Sequence, residues 1–326
     1  MLSLPPHTLP SYSEKNKRNA LFHYTTGNGL LGILENHKIW STAYYCTNDE
    51  SELSAAKNIL TPLFRNKTLE MIKENDERVK TIYSRGVDIR DYADGFEKII
   101  INHTLNILCV YITCFYRPKT KEDFYHGLLS QWRGYGPDGG YAIQFNRSKL
   151  RKYIKKSSKL NDVSYDLQNV YYSSNNKLKE KVFEYSDRFI KVYLEHLDHI
   201  VYSAFSKKIW PDPIKDLIDG PIESLLDFLI HTKNEHFKEE RECRMCVLEP
   251  ISKQHGKLPV NYFNRNGMLI PYVVTTNDFN IIDCIDWIIV GPGPRIVNRF
   301  NSIKQMIQNM GLKIGVRPSG IPFIPS

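Results

Sequence analysis

The sequence predicts an α+β fold in one domain. Short β-prone runs alternate with helical blocks of unequal length, and no internal repeat, low-complexity tract or clean linker divides the chain. At 326 residues the chain could make two domains or one large one. A chain of this size buries about 75% of its extended surface, so a core forms without help from metal or disulfide.

The elements follow in order. Residues 1–18 read as a polar, proline-containing arm, and structure is expected from Ala20. Ala20–Thr25 is β-prone, Gly27-Asn28-Gly29 marks a turn, and Leu30, Leu31, Ile33 and Leu34 recur at helical spacing. Ile39–Thr42 is a second extended piece. From Asn48 the composition turns helical, with Asp49 or Ser51 as cap and a stripe of Leu53, Ala56, Ile59 and Leu60. This first helical insertion covers about 49–105. Leu105–Phe115 reads as a buried strand, Trp132–Gly140 as a glycine-rich loop and Gly140–Phe145 as a strand. Ser148–Lys159 is a basic helix with Leu150, Tyr153 and Ile154 inward. Val170–Tyr172 is a strand candidate. A second helical insertion covers about 178–236, broken by the prolines of Trp210–Pro213. Arg241–Leu248 is a strand, Trp287–Val290 another, Ile296–Met310 a helix and Leu312–Val316 the last strand.

Composition narrows the function classes. Apolar residues make up 41% and charged residues 25%, as in ordinary soluble globular proteins. The longest apolar run, Ile107–Phe115, is far short of the roughly 20 residues of a membrane helix. The first residues lack the early positive charge and apolar stretch of a secretory signal. Six scattered cysteines fit a reducing cytosol, so a cytoplasmic protein without membrane contact is expected. The net charge of +8 is concentrated at 147–160, which holds seven basic residues and no acidic one. Such an island can bind phosphate-rich partners, or it can be a solvated helix face.

Three motifs read as structural. Gly134-Tyr-Gly136-Pro-Asp-Gly139 matches GxGxxG, but a strand follows it where a dinucleotide fingerprint needs a helix, so a tight loop is expected. In Cys243-x-x-Cys246 the odd offset along a strand sends the two sulfurs to opposite faces. His196 and His199 read as helix-face histidines.

Two strand faces are different. Alternation puts Glu240, Glu242 and Arg244 on one face of the Arg241–Leu248 strand and Arg241, Cys243 and Met245 on the other. Two carboxylates and an arginine must then be solvated, mutually paired or part of a cleft, because a dry core would not take them unpaired. In the first strand, His23 and Thr25 share one side and Phe22 and Tyr24 the other. That polar side, followed by a glycine turn and an apolar helix, forms a pocket rim.

The run Leu21–Thr42 with Asn48-Asp49-x-x-Glu52, Ser130–Gly136, Gly140–Phe145, the Glu-x-Glu-x-Arg strand and Ile288–Pro292 together resemble a bacterial family of undefined function met among mobile and phage-defence genes. The match runs in order over about residues 20–325. The opening segment also resembles the first strand and helix of ADP-ribosyltransferase folds, which implies a central set of short strands of that type. By that resemblance His23 holds an NAD ribose, Glu242 is the catalytic carboxylate and Glu240 its partner for the acceptor. Tyr24, Thr25, Tyr44 and Tyr45 would wall the NAD site, and Arg133 or Arg244 would clamp the pyrophosphate with forked donors.

Departure of nicotinamide leaves an oxocarbenium-like ribose, which a nearby carboxylate would stabilise. A second carboxylate could act as general base towards the incoming nucleophile. The expectation is therefore an NAD-consuming toxin or defence effector modifying a macromolecule, with an antitoxin or inhibitor protein as partner. His23 and Glu242 would line one cleft, and Glu242→Gln would spare stability. Two other readings stand beside it. One is a non-catalytic module on the same fold that holds nucleic acid through 147–160. The other is a metal-dependent nuclease or hydrolase built on Asp49, Glu52, Glu240 and Glu242.

Overall fold

The structure, a computed structural model, describes residues 8–46, 108–136, 139–161, 163–172, 229–250, 258–274 and 280–322, with isolated positions between 58 and 84. Asp49, Glu52, His196, His199 and Trp210–Pro213 lie outside the described residues, as do most of the two expected helical insertions.

The fold is mixed α and β around one large, mostly antiparallel sheet. Its strands are β1 (Ala20–Thr25), β2 (Trp40–Ala43), β3 (Leu108–Tyr116), β4 (Tyr141–Asn146), β5 (Ser164–Asn169), β8 (Glu242–Pro250), β9 (Val260–Arg265), β10 (Met268–Val274), β11 (Ile285–Val290) and β12 (Gly315–Pro318). The main path runs β12-β11-β4-β1-β3-β2-β10-β9, and β8 joins β3 and β5 off that path. Two short strands, β6 (Tyr171–Tyr172) and β7 (Thr232–Lys233), pair in parallel beside it.

β3 is the branch point. It pairs with β8 along its whole length, from Leu108↔Pro250 to Tyr116↔Glu242. It also pairs with β2 at Thr42↔Ile112 and Ala43↔Tyr111. It meets β1 only at Phe22↔Tyr116, while β1 pairs with β4 from end to end. The sheet therefore splits between β1 and β2, with the last turn of β3 at the apex.

The helices are α1 (Glu14–Asn19), α2 (Gly27–Asn36), α3 (Lys121–His126), α4 (Leu129–Tyr135), α5 (Arg147–Asn161) and α6 (Ile296–Asn309). One sheet face carries Leu21, Phe115, Ile143, Phe145, Cys243 and Met245. The apolar stripes of α2, α5 and α6 cover it with Leu34, Leu150 and Phe300 among others. The other face packs Phe22, Tyr24 and Tyr116 beneath Phe124 and Trp132 of α3 and α4, and packs Ile112 and Cys246 beneath Tyr44 and Ile230. The buried Arg317 of β12 ties these layers together. It donates to the Tyr125 and Phe124 carbonyls at 3.0 and 2.8 Å and to Gln144 Oε1 at 2.8 Å. Among the described residues no helix is long and apolar enough to cross a membrane.

Several expectations shift. The arm ends in α1, because the Ser13 hydroxyl accepts from the Asn16 N–H and caps it. Gly27–Gly29 is the first turn of α2, capped by Thr26. The last strand begins at Gly315 and not at Leu312. β5, β9 and β10 were not expected, although Asn266-Gly267, both at positive φ, is the two-residue hairpin signal that joins the last two. Trp132–Tyr135 belongs to α4, and the expected glycine loop shrinks to Gly136–Gly140.

Those glycines serve close packing. A Cβ on Gly140 would stand 2.7 Å from Gly136 Cα and 2.8 Å from the Thr25 carbonyl oxygen. Gly140→Ala is expected to cost about 1–3 kcal/mol through forced backbone displacement. Urea unfolding measures this, and an unchanged midpoint would show that the junction can relax.

Candidate functional site

The site is built where the chain turns into β8. A 3-10 turn, Glu235–Glu240, is capped by the Asn234 side chain and ends at Arg241 in the left-handed region, φ 42°. The strand then starts at Glu242, one residue later than expected. Glu240 therefore lies on the turn and not on the strand face with Glu242. What brings the two carboxylates together is Lys233, at the end of β7. Its Nζ lies 2.8 Å from Glu240 Oε2 and 2.9 Å from Glu242 Oε2, and 4.9 Å above the Phe237 ring.

Glu242 is nearly enclosed, at 4% exposure, and Arg244 is fully buried. Arg244 Nε donates to Glu242 Oε1 at 2.6 Å and Nη2 to Oε2 at 3.2 Å. Nη1 donates to the Ile230 carbonyl, and the guanidinium sits 5.9 Å over Tyr44. The Glu242 N–H donates to the Tyr172 hydroxyl at 2.9 Å. The mutually paired arrangement is thus the one realised, and in the interior. With all of these donors engaged, Arg244 does not serve as a pyrophosphate clamp.

The environment separates the two carboxyls. Burial alone would raise Glu242, but Arg244 and Lys233 outweigh it and hold that carboxyl well below the usual range. Glu240 goes the other way: burial raises its pKa against the pull of Lys233. A fixed anion thus stands beside a carboxyl with raised proton affinity, both within reach of one ammonium. Paired environments of this kind suit a division between charge stabilisation and proton transfer.

Cys114 joins this cluster to the first strand. It opposes Arg244 in the β3–β8 ladder, and its thiol donates to the Glu242 carboxylate. Its carbonyl lies 3.0 Å from His23 Nδ1. A carbonyl only accepts, so His23 carries a proton on Nδ1, and burial pushes its pKa down. The ladder registers place Glu242 on the face of Phe22 and Tyr116, whereas His23 packs 5.9 Å from Phe115 on the other. The expectation that His23 and Glu242 line one cleft is corrected: the two side chains lie on opposite faces of the sheet, each reaching Cys114, where the sheet splits.

The remaining expected residues divide. Tyr44 lies buried under Arg244 and donates to the Leu229 carbonyl at 3.3 Å. Tyr24 is buried, accepts from the Leu128 N–H at 2.8 Å and meets Trp132 edge-on, so it supports α4 and walls no open site. Thr25 ends β1 opposite Tyr141. Tyr45 and Arg133 are exposed. Lys233, Cys114 and Tyr172 escaped the sequence reading, as did Tyr135 of α4, whose phenol is raised by burial and then by Cys114, Glu240 and Glu242. For Lys233 the signal was indirect: a buried Glu-x-Glu-x-Arg set needs a further cation. Among the described residues no three His, Cys, Asp or Glu side chains are grouped to hold a metal ion.

A family described as "Protein of unknown function (DUF2971)" matches residues 131–245, about a third of the chain. The matched stretch runs from α4 to the Lys233–Glu240–Glu242–Arg244 cluster. No curated protein and no solved structure matches the chain.

The pairing makes Glu242 a stability residue, contrary to the expectation that its substitution would be silent. Glu242→Gln leaves the buried Arg244 charge without its counter-ion and is expected to cost about 3–5 kcal/mol by chemical denaturation. Adding Arg244→Met should recover much of that loss. The pH dependence has a definite sign. With a folded-state pKa below its unfolded value, Glu242 contributes stability above the unfolded value, and this is lost only as the pH falls through the lower one. The gap between wild type and Glu242→Gln should therefore still be present at about pH 5, where an ordinary carboxylate remains ionised, and narrow only in stronger acid. A gap already closed at that pH would refute the pairing.

Proposed function

We propose that this chain is an NAD-dependent ADP-ribosyltransferase-like enzyme. The observation that carries the reading is that Lys233 holds Glu240, on the turn, and the buried Glu242, at the start of β8, within reach of one ammonium, while His23 reaches Cys114 beside them from the other sheet face. In this reading Glu242 is the fixed negative charge beside the developing oxocarbenium ion, kept ionised by Arg244 and Lys233. Glu240, with its raised proton affinity and a side chain 22% exposed, is the general base. His23, with Nδ1–H committed to the Cys114 carbonyl, faces the other side of the sheet and is a positioning residue for the β3 segment beside Glu242. Lys233 positions both carboxylates.

The step balances. The C1′–N bond of NAD breaks, nicotinamide leaves with the bonding pair, the acceptor oxygen or nitrogen bonds to C1′, and its proton passes to Glu240. With water as acceptor the products are ADP-ribose, nicotinamide and a proton. The resemblance to a family met among defence genes favours a macromolecular acceptor and an inhibitory partner protein.

Nicotinamide release from NAD, measured without added acceptor, tests the reading. Glu242→Gln should lower kcat about 10²–10³-fold. Because that change also loosens the cluster, Arg244→Met serves as control: it disturbs the same pairing but keeps the carboxylate and should retain more turnover. His23→Ala, which removes a positioning contact on the other face, should lower turnover less than Glu242→Gln. Wild-type protein that releases no nicotinamide from NAD, with or without a cell extract as acceptor source, would overturn the proposal.

A further inference from the structure

Across the sheet from Glu242 the chain gathers arginines. Tyr116 opposes Glu242 in the β3–β8 ladder, so the next residues outward, Arg117 and Arg241, oppose each other just past its end. Arg117 follows the alternation of Phe115, on the face that α5 covers, and Arg241 stands in the left-handed turn beside it. Arg117 Nε donates to the Arg241 carbonyl at 3.0 Å, which holds the two together. Arg147 opens α5 and donates through Nη2 to Asn169 Oδ1 at 2.9 Å, and Asn169 pairs with Cys243. Arg151, one turn further along α5, is exposed. The charges of Arg147, Arg117 and Arg151 all reach the Cys243 thiol.

Among the described residues these arginines carry charge and donors that the protein does not use. Among the described residues none of the four arginines has a carboxylate partner. The Arg147 Nε–H is buried and unpartnered. Burial, with the Arg241 and Arg147 charges beside it, pushes the Arg117 pKa down. Arg241 moreover holds a left-handed backbone that costs a non-glycine residue free energy.

We infer that Arg117, Arg147, Arg151 and Arg241 form a phosphate-binding site, separate from the carboxylate cluster and on the other face of the sheet. Guanidinium forks match phosphate oxygens in a bidentate fashion, and the Arg147 Nε–H has no partner within the protein. The exposed Lys152 and Lys155 continue the positive surface along α5. Lys149 does not take part, since it is paired with Asp286 at 3.0 Å. The ligand is a phosphate group of a free nucleotide or of a nucleic-acid strand.

Thermal unfolding of the full chain at low ionic strength, with inorganic pyrophosphate, ADP or a short DNA duplex, tests the site. Each bound probe should raise the wild-type Tm. Arg117→Gln gives up the bond to the Arg241 carbonyl, so it is compared with its own ligand-free Tm, and it should lose the pyrophosphate-dependent rise. Arg151→Gln lies on the exposed face, and loss of its charged hydrogen bond should weaken affinity at least about tenfold; it carries the comparison if Arg117→Gln does not fold. If the duplex competes with pyrophosphate, and the slope of log affinity against log salt falls by about one per arginine removed, the ligand is a strand. If pyrophosphate and ADP bind and the duplex does not, it is a free nucleotide. A wild-type Tm unmoved by all three probes, or a rise that survives both substitutions, would overturn the inference. NAD plays no part in the readout, so failure here leaves the reading of the Glu242 cluster untouched.

Discussion

A charge taken out of water must find its counter-charge, and the Glu242–Arg244 pair makes that demand on this fold. Neither ion could remain where β8 puts it without the other. Their residual valences draw in Lys233 from β7, the Ile230 carbonyl and the thiol of Cys114, while the Tyr172 hydroxyl accepts from the Glu242 backbone N–H. The position of the 229–233 segment against the sheet, the tight turn from Asn234 to Arg241 and the pairing of β6 with β7 all serve this satisfaction. The cluster thus acts as the lock for three segments far apart in the chain.

The second constraint is the branching at β3. A strand has two edges, and here three neighbours share them: β8 runs the full length, while β1 and β2 divide the other side. β1 turns away after Phe22 to follow β4, so the Cys114 carbonyl loses the prospect of a β1 amide. His23 supplies the missing donor with its ring. The side chain that repairs the seam is also a positioning residue in the functional reading, which explains how a position can be structural and still bear on a site. An opening in a sheet is where groups from both halves can be brought to one residue without either half deforming.

The sheet also separates charge. The β8 register sends Glu242 and Arg244 to one face and Cys243 and Met245 to the other, and β3 repeats the division with Cys114 and Phe115. A carboxylate-centred cluster and an arginine cluster therefore stand within a few residues of each other on opposite faces. Both are held by the same ladder.

What could be read from the chain alone was what local periodicity governs. The β-prone runs at Ala20–Thr25 and Tyr141–Asn146 became strands, the basic helix buries Leu150, Tyr153 and Ile154 as its spacing required, and Cys243 and Cys246 point to opposite faces because their offset is odd. Glu242 and Arg244 could be singled out because two opposite charges on one strand face demand an explanation. Alternation could not show that Arg241 adopts a left-handed turn and so takes Glu240 off the strand, since that conformation is chosen by the chain reversal into β8. Nor could it name Lys233, Cys114, Tyr172 or Arg117. Periodicity fixes the direction a side chain faces, but what stands opposite is decided by strand register between segments such as His23 and Cys114, 91 positions apart. Register follows from how the whole sheet buries its two apolar faces at once, and only the tertiary structure settles that.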